Sequence, residues 1–139
     1  MLIIFFIDPP ERPEIIGYVE GETIRMGQTV SLVCESYGGN PLATIIWYKN
    51  GQRIDHSYTT MGSKSKNVLR FVAGSDDNKA KYRCEASNNM LASPLVAEVV
   101  MSVQCKYLTL YKRYFMRFYF KICVKFVYIL IHGLSCVFY

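Results

Sequence analysis

The chain has 139 residues, a length that suits one domain of ordinary size with a sizeable core. Its net charge of +5 arises at the C-terminal end: residues 1–104 hold ten basic and eleven acidic side chains, and Lys106, Lys112, Arg113, Arg117, Lys121 and Lys125 supply the excess. A near-neutral body excludes a nucleic-acid surface on the folded part, and the five cysteines and two histidines show no metal-binding spacing.

Leu2 to Ile7 is a short apolar run with no basic residues before it and no small-residue cleavage site after it, so it reads as a poor secretion signal. Asp8-Pro9-Pro10-Glu11-Arg12-Pro13 reads as a stiff extended linker, because its prolines forbid helix and remove donors. The organisation expected is an N-terminal segment and linker over 1–12, one domain over 13–103 and a tail over 104–139.

From Pro13 to Val103 the pattern is all-β, with alternating runs broken by turn residues about every ten positions. Ile15–Tyr18 and Thr23–Met26 form a split first strand, and Thr29–Glu35 the second, with Val30, Leu32 and Cys34 on one face. Tyr37 to Pro41 is a loop. Thr44–Lys49 is the third strand, with Ile45 and Trp47 inward and Thr44, Ile46 and Tyr48 outward. Asn50-Gly51 is a tight turn into Gln52-Arg53-Ile54, an edge strand. Asp55 to Lys66 is polar loop and weak strand.

Asn67–Val72 follows as a core strand with Leu69 and Phe71 inward. Ala73 to Asn78 is a corner. Lys81–Ala86 places Tyr82, Cys84 and Ala86 inward and Lys81, Arg83 and Glu85 outward. Ser87 to Met90 is a hairpin tip. Leu95–Val103 is the last strand, with Val96, Glu98 and Val100 on one face.

Cys34, Trp47 and Cys84, with Tyr82 two residues before the second cysteine, resemble the frame of the immunoglobulin sandwich. That resemblance implies two antiparallel sheets bridged by Cys34–Cys84. It puts Trp47 against the bridge, and Tyr82, Leu32, Leu69 and Phe71 in the core. A bridge implies an oxidising compartment, hence a secreted or cell-surface protein; the alternative is a pair of reduced core thiols.

Glu20 to Gln28, Gly38-Gly39-Asn40-Pro41-Leu42-Ala43, Trp47-Tyr48-Lys49-Asn50-Gly51, and Asp77-Asn78-Lys79-Ala80 before Tyr82 to Asn88 are similar to one domain of the nephrin-type cell-adhesion receptors. The resemblance covers residues 13–103 and implies a module of a cell-surface ectodomain whose partners are other immunoglobulin-superfamily proteins, homophilic or heterophilic. It implies no cofactor and no small-molecule substrate.

The likeness stops near Cys105. Residues 105–139 hold six Tyr, five Phe and no acid or proline. Ile122–Tyr139 is apolar enough to insert in a membrane, but its basic flank would hold the domain in the cytosol, against the bridge. Arg113, Arg117, Lys121 and Lys125 would form a drifting helical stripe with a poor moment. The favoured expectation is translated intron, since Tyr, Phe, Lys and Ile belong to A/T-rich codons. On that expectation the chain is a truncated gene model holding one domain. A spliced transcript running through Lys106 to Tyr139 and stopping there would refute it.

No catalytic motif or phosphate loop is present, so no enzyme is expected. Asp76 and Asp77 read as a solvated corner. The candidate partner-binding face is the outward side of the third and sixth strands: Ile46, Tyr48, Arg83 and Glu85. The alternative is ordinary surface on a spacer domain with no partner of its own.

Overall fold

The computed structural model describes residues 7–104, so the readings made for the N-terminal apolar run and for the tail lie outside the described residues. The strands are β1 (Asp8–Pro10), β2 (Glu14–Ile16), β3 (Thr23–Arg25), β4 (Thr29–Asn40), β5 (Thr44–Lys49), β6 (Gln52–Asp55), β7 (Tyr58–Met61), β8 (Lys64–Val72), β9 (Lys81–Ser87), β10 (Leu95–Val100) and β11 (Ser102–Gln104). One sheet runs β1-β4-β8-β7, with β2 also paired to β4; the second runs β10-β9-β5-β6; β11 pairs with β3 in parallel. This is the antiparallel sandwich expected from the alternating pattern.

Period-two alternation brings Leu32, Cys34, Ile45, Trp47, Cys84 and Ala86 into the space between the sheets, where all are fully buried. Withdrawing Leu32 and Ile45 from water contributes about 1.5–3 kcal/mol each. Cys34 and Cys84 are joined by a disulfide, with their Cα atoms 6.4 Å apart. Trp47 is the register neighbour of Cys84, and its indole N–H donates to the Asn67 carbonyl at 3.4 Å. Leu69 and Phe71 point inward but are only partly buried, and Phe71 stacks on Tyr82 with ring centroids 5.1 Å apart.

The structure departs from the sequence reading in four places. The proposed linker joins the sheet: Asp8 and Pro10 register against Asn40 and Gly38, and the Glu11 N–H donates to the Tyr37 carbonyl at 2.8 Å. Prolines are compatible with this position because an edge strand has no second neighbour to serve. In turn β4 runs on to Asn40 and the expected loop disappears. Gly39 allows this, since a Cβ there would sit 3.1 Å from the Pro10 nitrogen.

The polar stretch after Asp55 contains β7 and the start of β8, so the strand expected from Asn67 begins at Lys64. Finally, the last strand breaks at the buried Met101. Its N–H donates to the Ala80 carbonyl at 3.0 Å and its carbonyl accepts from Lys79, and β11 then crosses to β3.

Candidate recognition surface

β9 is an inner strand of its sheet, flanked by β5 and β10, so alternate residues of all three strands form one continuous outer face. Register sets Ile46 beside Glu85 and Glu85 beside Val96, then Tyr48 beside Arg83 and Arg83 beside Glu98, then Lys81 beside Val100. The guanidinium of Arg83 stands 5.4 Å from the centre of the Tyr48 ring, and its Nη2 pairs with Glu85 Oε1. Lys81 and Glu98 are 3.2 Å apart. Ile46, Tyr48, Arg83 and Val96 are half-buried and Val100 is exposed.

One of the residues expected on this face is not available to a partner. Glu85 points outward, yet only 8% of it is exposed. It lies between Ile46 and Val96 across the strands, and the Arg83 guanidinium occupies its carboxylate. The face a partner would meet is therefore Ile46, Tyr48 and Arg83, continued on β10 by Val96, Glu98 and Val100. That extension was present in the period-two pattern of the last strand.

The corner before β9 also differs from the solvated turn expected. Asp77 is buried. Its Oδ2 accepts the Gly74 N–H at 2.7 Å, and its Oδ1 accepts the Tyr82 hydroxyl at 2.6 Å and Lys49 Nζ at 2.5 Å. Burial pushes its carboxyl upward, but Gly74, Lys49 and Tyr82 together outweigh that and hold it below the usual range. Burial, and then the adjacent carboxylate, push the Tyr82 hydroxyl well above its ordinary value. The missed signal was Lys49, which shares the inward parity of Ile45 and Trp47 and so requires an anion inside.

Two further polar clamps occur elsewhere in the fold. Asn88 donates to the carbonyls of Asp8 at 3.1 Å and Pro41 at 2.9 Å, tying β1 to the loops beside β5 and β9. On the opposite sheet Glu35 is buried between Lys64 at 3.2 Å and Lys66 at 3.5 Å. Burial pushes the Glu35 carboxyl up, and the two lysines bring it below its ordinary value.

Among the described residues no group of three His, Cys, Asp or Glu side chains could hold a metal ion. What the outer face offers is a ring, a guanidinium held by one carboxylate and that ring, and branched aliphatic neighbours. Aromatic and arginine side chains are enriched at protein interfaces.

The family model described as immunoglobulin domain matches residues 12–88. Human nephrin is 39% identical over 88 residues, covering 60% of this chain and 7% of that protein. Cell adhesion molecule 2 of Xenopus tropicalis is 30% identical over 102 residues, covering 68% of this chain and 23% of that protein. The solved structure of Rst D1-D2 superposes with a TM-score of 0.63 at 25% identity, covering 69% of this chain and 50% of that one. The chain thus spans less than a quarter of the length of either curated relative.

Proposed function

The chain belongs to the immunoglobulin domain family, and from that premise we propose that it is the recognition module of a cell-surface adhesion receptor, facing the outside of the cell. Its partner is another immunoglobulin-superfamily protein, the same or different. The contact uses the outer face of β10, β9 and β5. The observation that carries this reading is Arg83, held between Glu85 and the Tyr48 ring. Tyrosine and arginine concentrate at the centres of protein interfaces, and a side chain already fixed loses little freedom on binding. The Cys34–Cys84 bridge supports an extracellular address. Nothing in this reading calls for a cofactor, a nucleic acid or a small-molecule substrate.

The test is binding of the chain to itself and to a panel of immunoglobulin-superfamily ectodomains. Tyr48→Ala should weaken the productive pair by roughly 30-fold, equivalent to about 2 kcal/mol, with the melting temperature nearly unchanged. Unaltered binding excludes this face.

The alternative, a spacer without a partner, is favoured by one observation. The charges of the face already satisfy one another, Arg83 with Glu85 and Lys81 with Glu98. Absence of binding across the whole panel would select that reading.

A further inference from the structure

The strand edges of this domain are not equally protected. On β10 two outward carbonyls are capped, and Glu98 adds a charge between them: Arg12 Nε donates to Val96 at 3.1 Å and the Tyr18 hydroxyl to Val100 at 3.2 Å. β1 carries Pro9 and Pro10, and β6 carries Arg53 and Asp55. Caps, prolines and charges are the usual means of blunting an edge. β7 has none of them. Tyr58, Thr59, Thr60 and Met61 are exposed throughout, Met61 to 78%, and no charged residue occurs from Ser57 to Ser63. The aromatic and β-branched residues of this run favour further strand pairing.

The register fixes which groups are free. β7 and β8 are joined by Gly62-Ser63, a two-residue turn with Gly62 at φ 60, and Met61 faces Lys64 across it. The pair flanking such a turn exchanges hydrogen bonds, and bonded pairs then alternate. Met61 and Thr59 therefore bond to β8, and the N–H and C=O of Thr60 point to the open edge. Tyr58 faces the same way, but its N–H already donates to the His56 carbonyl at 3.2 Å.

We propose that this edge takes a second copy of the chain, whose β7 adds antiparallel about a two-fold axis through Thr60. Each Thr60 then exchanges both backbone hydrogen bonds with its counterpart, and Thr59 faces Met61 of the copy. An axis between residues is excluded, because it would set a residue bonded to β8 against one that points outward. The lysines nearest the edge do not oppose this. Lys64 lies on β8, so the two copies of it are separated by three strand spacings, about 14 Å, beyond the Debye length of about 8 Å. The surface is separate from the Tyr48 face, so either can fail without the other.

The test is sedimentation velocity on the full chain across a concentration series, where a reversible dimer is expected. Thr60→Pro removes only the outward N–H, so it should weaken association about tenfold or more while the melting temperature holds. Tyr48→Ala should leave the dimer intact. Thr60→Cys should give a covalent dimer on mild oxidation, with peptide mapping placing the link between the two introduced thiols. Such a bonded pair holds its Cα atoms about 5.5 Å apart, within disulfide reach. Tyr58→Cys should not crosslink. The proposal is overturned by a parent chain that stays monomeric, by a dimer that Tyr48→Ala dissolves, or by one that Thr60→Pro spares and Thr60→Cys does not crosslink.

Discussion

The Tyr82 hydroxyl donates to Asp77 Oδ1 at 2.6 Å, and that contact ties the corner before β9 to the strand that carries Cys84. The same oxygen receives Lys49, so β5, the corner and β9 meet at one carboxylate. Because the Arg83 and Tyr48 side chains leave β9 and β5 on the opposite face, this inner junction sets the spacing of the outer one.

Removing the carboxylate should cost more than removing either donor. Asp77→Ala strands a buried hydroxyl and the Gly74 N–H and leaves Lys49 without its anion, so a loss of about 3 kcal/mol is expected. Tyr82→Phe gives up one charge-assisted bond and should cost about 1.5 kcal/mol. Urea unfolding midpoints of the two variants order them; a larger effect for Tyr82→Phe would contradict the hub role of Asp77.

Stability should fall at both ends of the pH scale, for opposite reasons. Asp77 and Glu35 titrate in the folded state below their ordinary values of 3.8 and 4.5, so the unfolded chain binds more protons. Their contribution is complete above those ordinary values and is lost as pH falls through the folded ones. Tyr82 is raised above its ordinary 10.0, so its contribution is present below 10.0 and is lost at more alkaline pH. Unfolding midpoints measured against pH should show a plateau through neutrality, and Tyr82→Phe should flatten the alkaline side.

Reduction of Cys34–Cys84 releases a loop closed over a sequence separation of 50, worth about 4 kcal/mol in the chain-entropy model. A matching drop in unfolding free energy on reduction is expected. A change under about 1 kcal/mol would show that the sheets hold without the link.

Gly17 is where the chain leaves β2 on its way to β3. It has φ +102, and a Cβ there would lie 2.1 Å from the Ser31 carbonyl oxygen. Gly21 has φ +98 with open space around it. Gly17→Ala should therefore cost about 3 kcal/mol or more and Gly21→Ala about 1 kcal/mol, a contrast that thermal melts resolve. Equal losses would mean that strain alone, and not contact with β4, fixes Gly17.

Much of the sandwich was legible because burial on one face imposes period two. Leu32 with Cys34, Ile45 with Trp47 and Tyr82 with Cys84 all declare the inner side by alternation. What alternation cannot show is pairing by residues that break it. Pro9, Pro10, Gly38 and Gly39 read as linker and loop, yet β1 and the end of β4 are built from them. β7 was obscured for a related reason: all of its residues are exposed, so no apolar period marks it.

The outer face was half legible. Strand parity placed Ile46, Tyr48, Arg83 and Glu85 on one side, but parity gives direction and not exposure. Glu85 is covered by neighbours on both flanking strands, which only the register reveals. Asp77 was misread because its partners, Lys49 and Tyr82, are distant from the corner in sequence or separated from it by the turn.

β3 and β11 run in the same direction, one near the start of the fold and one at its end. When the two ends of the domain are drawn apart, these strands slide along each other. The bonds between Thr23–Arg25 and Ser102–Gln104 then take the load together, where an antiparallel pair pulled from one end would open rung by rung. Tension applied to the two ends of the domain is thereby met in shear, and two of its three-residue strands become a mechanical latch.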